Sequence, residues 1–169
     1  MISLRSPKFL PALYGALVIA GIETVPGLNF INACCCAGIL FGGFLAVFFY
    51  TQEFKNENDF LTREDSIELG IWAGILSAIA GTIINLIILA LFGNIAIEMM
   101  LTMIENMNVE MPAEFQTLID EALISKLTFF DVAFGFFTNL FINTIFSILG
   151  ALIGWNVFRN KYGRKTFNI

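Results

Sequence analysis

Residues Cys34 to Tyr50, CCCAGILFGGFLAVFFY, run for seventeen positions without a charge and then meet a polar stop at Thr51-Gln52-Glu53. Gly38, Gly42 and Gly43 lie in the middle of the run. Such a stretch reads as a membrane-spanning helix built for close approach to its neighbours. Three other stretches repeat the design. Hydrophobic residues make up 57% of the 169 residues and charged ones only 14%, where a soluble domain is closer to half and a quarter. Too little polar surface remains to cover a water-facing globule, so lipid is the expected solvent and one membrane domain the expected count.

The expected fold class is all-α and integral to the membrane: four transmembrane helices in a bundle, over about 7–25, 31–51, 66–92 and 127–158. The first apolar run, Phe9 to Ile22, has fourteen residues, fewer than the roughly 20 a span needs, so it must borrow from Ser6-Pro7 or reach toward Val25. A short basic start before an apolar run also fits a signal peptide, and Ile31-Asn32-Ala33-Cys34 loosely imitates a lipoprotein cleavage site. Cys34, however, heads another apolar segment, which favours a retained first helix. Val25-Pro26-Gly27-Leu28-Asn29 has turn composition. Thr62 and Asp65 are spaced as in a capping box that would start helix three near Arg63.

Gly93-Asn94 interrupts the third apolar run. Beyond it, 95–126 carries apolar residues at helical spacing in two segments, the second restarting at Met111-Pro112. They predict an extramembrane amphipathic helical hairpin between helices 3 and 4. Its polar face bears Glu98, Glu105, Glu110, Glu114, Asp120 and Glu121, which disfavours adsorption to anionic lipid.

Four spans place Arg5, Lys8, Lys55, Arg63, Arg159, Lys161, Arg164 and Lys165 on one side and only Lys126 on the other. The positive-inside rule then predicts cytoplasmic termini in a multi-pass inner-membrane protein. Tyr50, Trp72, Trp155 and Tyr162 fall near the cytoplasmic helix ends, where amphipathic rings suit the interface.

Histidine is absent, which excludes His-ligated haem or zinc and a His general base. Cys34, Cys35 and Cys36 lack further Cys or His to complete a metal site, and neighbours on one helix make poor disulfides. No cofactor or metal is expected, and no nucleophile–base pair points to an enzyme. No basic stripe suits nucleic acid as a partner. The expected partners are the bilayer and a homo-oligomer or larger membrane complex.

Two sets of residues invite a role. Small residues four apart (Gly38 and Gly42, Gly70 and Gly74, Gly150 and Gly154) let helix backbones approach where lipid supplies no hydrophobic drive. Phe41-Gly42-Gly43-Phe44-Leu45 also aligns with Leu149-Gly150-Ala151-Leu152-Ile153, suggesting two copies of a helical hairpin in a parallel repeat. The second set is polar: Glu23, Asn85, Asp131, Asn139 and Asn143, with Thr82 nearby. Intramembrane ionisable groups are candidates for function, although Asp131 also suits a helix N-terminus and Asn pairs can join helices structurally. The chain is thus expected to be a structural or accessory subunit packing through its small-residue faces, or else a small transporter or channel with a path through Asn85, Asp131, Asn139 and Asn143.

Asn29-x-x-Asn32-x-Cys34-Cys35-Cys36, Gly42-Gly43-x-Leu45-Ala46 and Gly150-Ala-Leu-Ile-Gly154 followed by basic residues resemble small uncharacterised bacterial four-helix inner-membrane proteins. The resemblance covers about half the chain and implies a topology without a chemistry.

Overall fold

The computed structural model describes residues 7–25, 36–54, 60–92, 101–102, 106, 117 and 128–162. The outer hairpin expected over 95–126, Cys34 and Cys35, and the turn at Pro26 to Asn29 lie outside them, apart from single helical residues within the hairpin. The described residues build four helices: α1 (Phe9–Thr24), α2 (Ala37–Gln52), α3 (Arg63–Phe92) and α4 (Phe129–Tyr162). Two of them, α3 and α4, are long and apolar enough to cross a membrane. The other two have 16 residues each, about 24 Å at 1.5 Å per residue.

Local chemistry sets the ends. Val25 is extended, at ψ 118°, as a residue before proline must be, so α1 stops at Thr24. Cys36 takes a left-handed conformation, φ 54° and ψ 35°, just before α2. This corrects the expectation of three cysteines on one helix, because Cys36 lies outside the helical geometry that would fan them apart. At the start of α3 the Asp65 carboxylate accepts from the Thr62 amide at 3.1 Å and the Thr62 hydroxyl at 2.5 Å. The Asp65 amide donates back to Thr62 Oγ1 at 3.1 Å. These reciprocal bonds satisfy donors that a helix start leaves free. Thr128 and Asp131 repeat the device at the start of α4, at 2.9, 2.5 and 3.4 Å.

Helix α1 packs against α2 and α3, and α4 packs against the same two, while α2 and α3 touch only briefly. Consecutive helices run antiparallel, so α1 is parallel to α3 and α2 to α4. This arrangement departs from a parallel repeat of two hairpins. A two-fold axis along the helices would set α1 opposite α3 and α2 opposite α4, yet those pairs are adjacent. The matching Gly-rich segments of α2 and α4 pack directly on each other instead.

The buried hydrophobic core lies toward the end that holds Lys8, Arg63 and Tyr162. There Ala12, Ala46, Val47, Tyr50, Leu61, Leu69, Ala73 and Ala151 form a buried cluster, covered by Phe54, Trp155, Phe158 and Tyr162. The Leu61 amide donates to the Tyr162 carbonyl at 2.7 Å, tying the residues before α3 to the end of α4. Tyr50, read from sequence as an interfacial ring, is only 1% exposed and stacks edge-on against Phe54. It lies near the end of α2 and faces the other helices rather than the surroundings.

Toward the opposite end the long helices turn apolar side chains outward. Phe130, Phe134, Phe137 and Phe141 of α4 are 65–81% exposed, and Ile83, Ile87 and Leu91 of α3 are each more than half exposed.

Candidate polar site between the helices

Five of the six small-residue positions meet a neighbouring helix at close range. A Cβ on Gly70 would lie 2.7 Å from Ile148 Cα, and one on Gly74 2.5 Å from Thr144 Cα. Gly42 faces Gly15 of α1, whose carbonyl oxygen would be 2.9 Å away, and Gly154 faces Val47 at 3.1 Å. On Gly150 a Cβ would come within 2.7 Å of the Leu40 carbonyl carbon. Real side chains essentially never approach backbone this closely, because interiors are already packed at crystal-like density. Gly38 is buried in the first turn of α2. Sequence spacing did not single out Gly43, yet a Cβ there would lie 2.8 Å from the Ser147 carbonyl carbon. Gly43 and Gly150 thus serve the same contact from opposite sides.

The polar candidates divide into an inner and an outer group. Asn143, 1% exposed, donates through Nδ2 to Glu23 Oε2 at 3.1 Å and to Ser77 Oγ at 3.2 Å. Ser77 is buried and donates to the Gly74 carbonyl at 2.9 Å. Three helices therefore meet in one network: α1 through Glu23, α3 through Ser77, α4 through Asn143. Space for Glu23 comes from Gly81, where a Cβ would be 3.3 Å from Oε2.

The outer group lines an open groove of about 260 Å³ between α3 and α4, formed by Thr82, Asn85, Asp131, Gly135, Phe136 and Asn139 with apolar neighbours. Asn85, Asp131 and Asn139 are exposed. Asn139 sits one turn before Asn143, and Thr82 follows Gly81, so groove and network share one seam. The seam closes inward, where Gly74 and Gly70 press against Thr144 and Ile148 and where Leu69, Ala73 and Ala151 are fully buried.

Sequence reasoning missed Ser77, since a serine in a long apolar helix has no signature of its own. It also missed a charged cluster at the opposite end. The Lys8 ammonium lies 2.9 Å from Asp65 Oδ1 and also pairs with Glu68. Asp65 is fully buried. Lys8 lies just outside α1; burial pulls its ammonium down, but the Glu68 and Asp65 carboxylates outweigh this and hold it above its ordinary value.

Among the described residues no group of three or more His, Cys, Asp or Glu could hold a metal ion. No protein-family model matches the chain, and neither a curated protein nor a solved structure matches it.

Proposed function

We propose that the chain crosses the bilayer four times with cytoplasmic termini, and that the α3–α4 seam is the outward-facing mouth of a polar path for a small solute or ion. The observation that carries this reading is the network Glu23–Asn143–Ser77, continuous along the seam with the groove lined by Asn85, Asp131 and Asn139. A polar network between apolar helices is costly unless its members bond one another, as these do. An ionisable group within a span is by default a candidate for function. Grouping of Lys8, Arg63, Arg159 and Lys161 at one end of the helices supports the topology through the positive-inside rule. The short helices α1 and α2 reach a hydrocarbon core of about 30 Å only with flanking residues.

Reconstituted vesicles test the reading. Passage of small solutes should fall on Asp131→Asn and Asn143→Leu, and flux that ignores both substitutions would overturn it. A carboxyl-terminal reporter should be active on the cytoplasmic side only.

A second reading is an accessory subunit of a homo-oligomer or larger membrane complex. Its support is the exposed aromatic face of α4, Phe130, Phe134, Phe137 and Phe141, which a partner helix could cover in place of lipid. The small-residue positions favour it less, because they face helices of the same chain. Purification in mild detergent separates the two: a discrete oligomer or a stoichiometric partner supports the subunit, and a monomer opposes it.

A further inference from the structure

We propose that Glu23 is a proton-binding carboxyl loaded through the α3–α4 seam, so that the species using this path is a proton or travels with one. The inference rests on the polar-path reading and names its ion.

Glu23 sits in the last turn of α1, half-buried, against the Gly81 backbone of α3 and the Asn143 amide of α4. Among the described residues the ion pairs join Lys8 to Asp65 and Glu68, and none reaches Glu23. The groups facing it from α3 and α4 are neutral: Ser77, Gly81 and Asn143. On the α2 side the described residue toward this end is Cys36, which precedes the helix. Asp131 lies twelve residues from Asn143 along α4, roughly 18 Å toward the mouth at 1.5 Å per residue. Lys8 is at the other end of α1, fifteen residues away, or roughly 22 Å. An anionic carboxylate without a cation in low dielectric is relieved by taking up a proton.

Among the described residues no group of three or more acidic or thiol side chains could hold a metal ion here, and the amide bond from Asn143 tolerates either protonation state of the acid. On the groove side of the network the buried hydroxyl Thr82 Oγ1 has no hydrogen-bond partner among the described residues. Such a group is expensive when unsatisfied and suits a water molecule that would carry the proton. The step is one proton transfer: an O–H bond forms on Glu23 as an O–H bond of a hydronium ion breaks, releasing water, with no change of oxidation state. Closure of the seam at Gly70 and Gly74 makes the loading one-sided.

Infrared difference spectra of the full chain in lipid nanodiscs, recorded between two pH values, test the inference without any flux. A protonated-carboxyl carbonyl band should appear, vanish in Glu23→Gln, persist in Asp131→Asn and shift in Asn143→Leu. A spectrum unchanged by Glu23→Gln would overturn the inference. Should Glu23→Gln not fold, Glu23→Asp serves instead: a moved band supports the assignment, an unmoved one refutes it. A titrating Glu23 band with no flux would sink the path and keep the proton site, whereas flux without that band would do the reverse.

Discussion

Replacing Gly43 with alanine adds one methyl group where the backbones of α2 and α4 are in close contact. The new Cβ would lie 2.8 Å from the Ser147 carbonyl carbon and 2.9 Å from its Cα, against an ordinary carbon–carbon separation of about 3.5–4.0 Å. Both obstructing atoms are backbone, so no rotamer change relieves them. The helices must part by roughly 1 Å, and overpacking of this kind costs about 1–3 kcal/mol. Separation also strains Gly150, whose site on Leu40 belongs to the same contact. Helix propensity acts the other way, since alanine is favoured over glycine by up to about 1 kcal/mol. The clash should win, leaving about 0–2 kcal/mol of net destabilisation, with the upper half expected because backbone meets backbone. Gly21 and Gly135 supply the control, as a Cβ on either meets nothing within 4 Å. Thermal unfolding in mild detergent, followed through Trp72 and Trp155 fluorescence, should show Gly43→Ala lowering the midpoint by a few degrees (about 2–4 °C per kcal/mol at this chain length). Gly21→Ala should hold or raise it. If Gly43→Ala unfolds at or above the midpoint of Gly21→Ala, the close approach of α2 and α4 is wrong.

Lys8→Met removes a cation that pairs with the buried Asp65 carboxylate and should cost up to about 3–5 kcal/mol, read by the same unfolding assay; a loss below about 1 kcal/mol would show that the pair is solvated. The folded-state value of Lys8 is raised above its ordinary 10.5, so its contribution is complete below that pH and is lost as pH rises through the folded value. Stability should therefore fall above about pH 10.5 in the native chain, and fall less in Lys8→Met. Thr62→Ala removes one half of the α3 capping box and should cost about 1 kcal/mol, with amide exchange accelerating at Asp65 and Ser66 before the rest of α3. Asn143→Leu should destabilise by about 0.6–2 kcal/mol, the scale of hydrogen bonds between membrane helices, and a double-mutant cycle with Ser77→Ala should show coupling.

Much of the helical framework was legible in the chain. Arg63 as the start of α3 follows from Thr62 and Asp65, whose bonds are local and need no tertiary partner. The end of α1 follows from Pro26 restricting Val25. Candidate polar residues were legible as types, because an Asn or Glu among apolar residues stands out, but their grouping was not. Asn143 and Asn139 look equivalent at a spacing of four. Only the packing buries Asn143 between Glu23 and Ser77 and leaves Asn139 in the open groove. Lys8 and Asp65 are 57 positions apart, and nothing in either neighbourhood announces the other.

Alone, then, the sequence determined that the chain is helical and apolar, and where its long helices begin. These properties follow from local sterics, capping and composition. The order of helices around the core belongs to the tertiary structure. So do the direct pairing of α2 with α4, which a parallel hairpin repeat does not produce, and the inward turn of Tyr50. Each depends on which faces meet. Helices of similar apolarity on every side carry little preference for one neighbour over another, so the choice falls to shape, at Gly43, Gly150, Gly70 and Gly74, and to the few polar groups that must find partners.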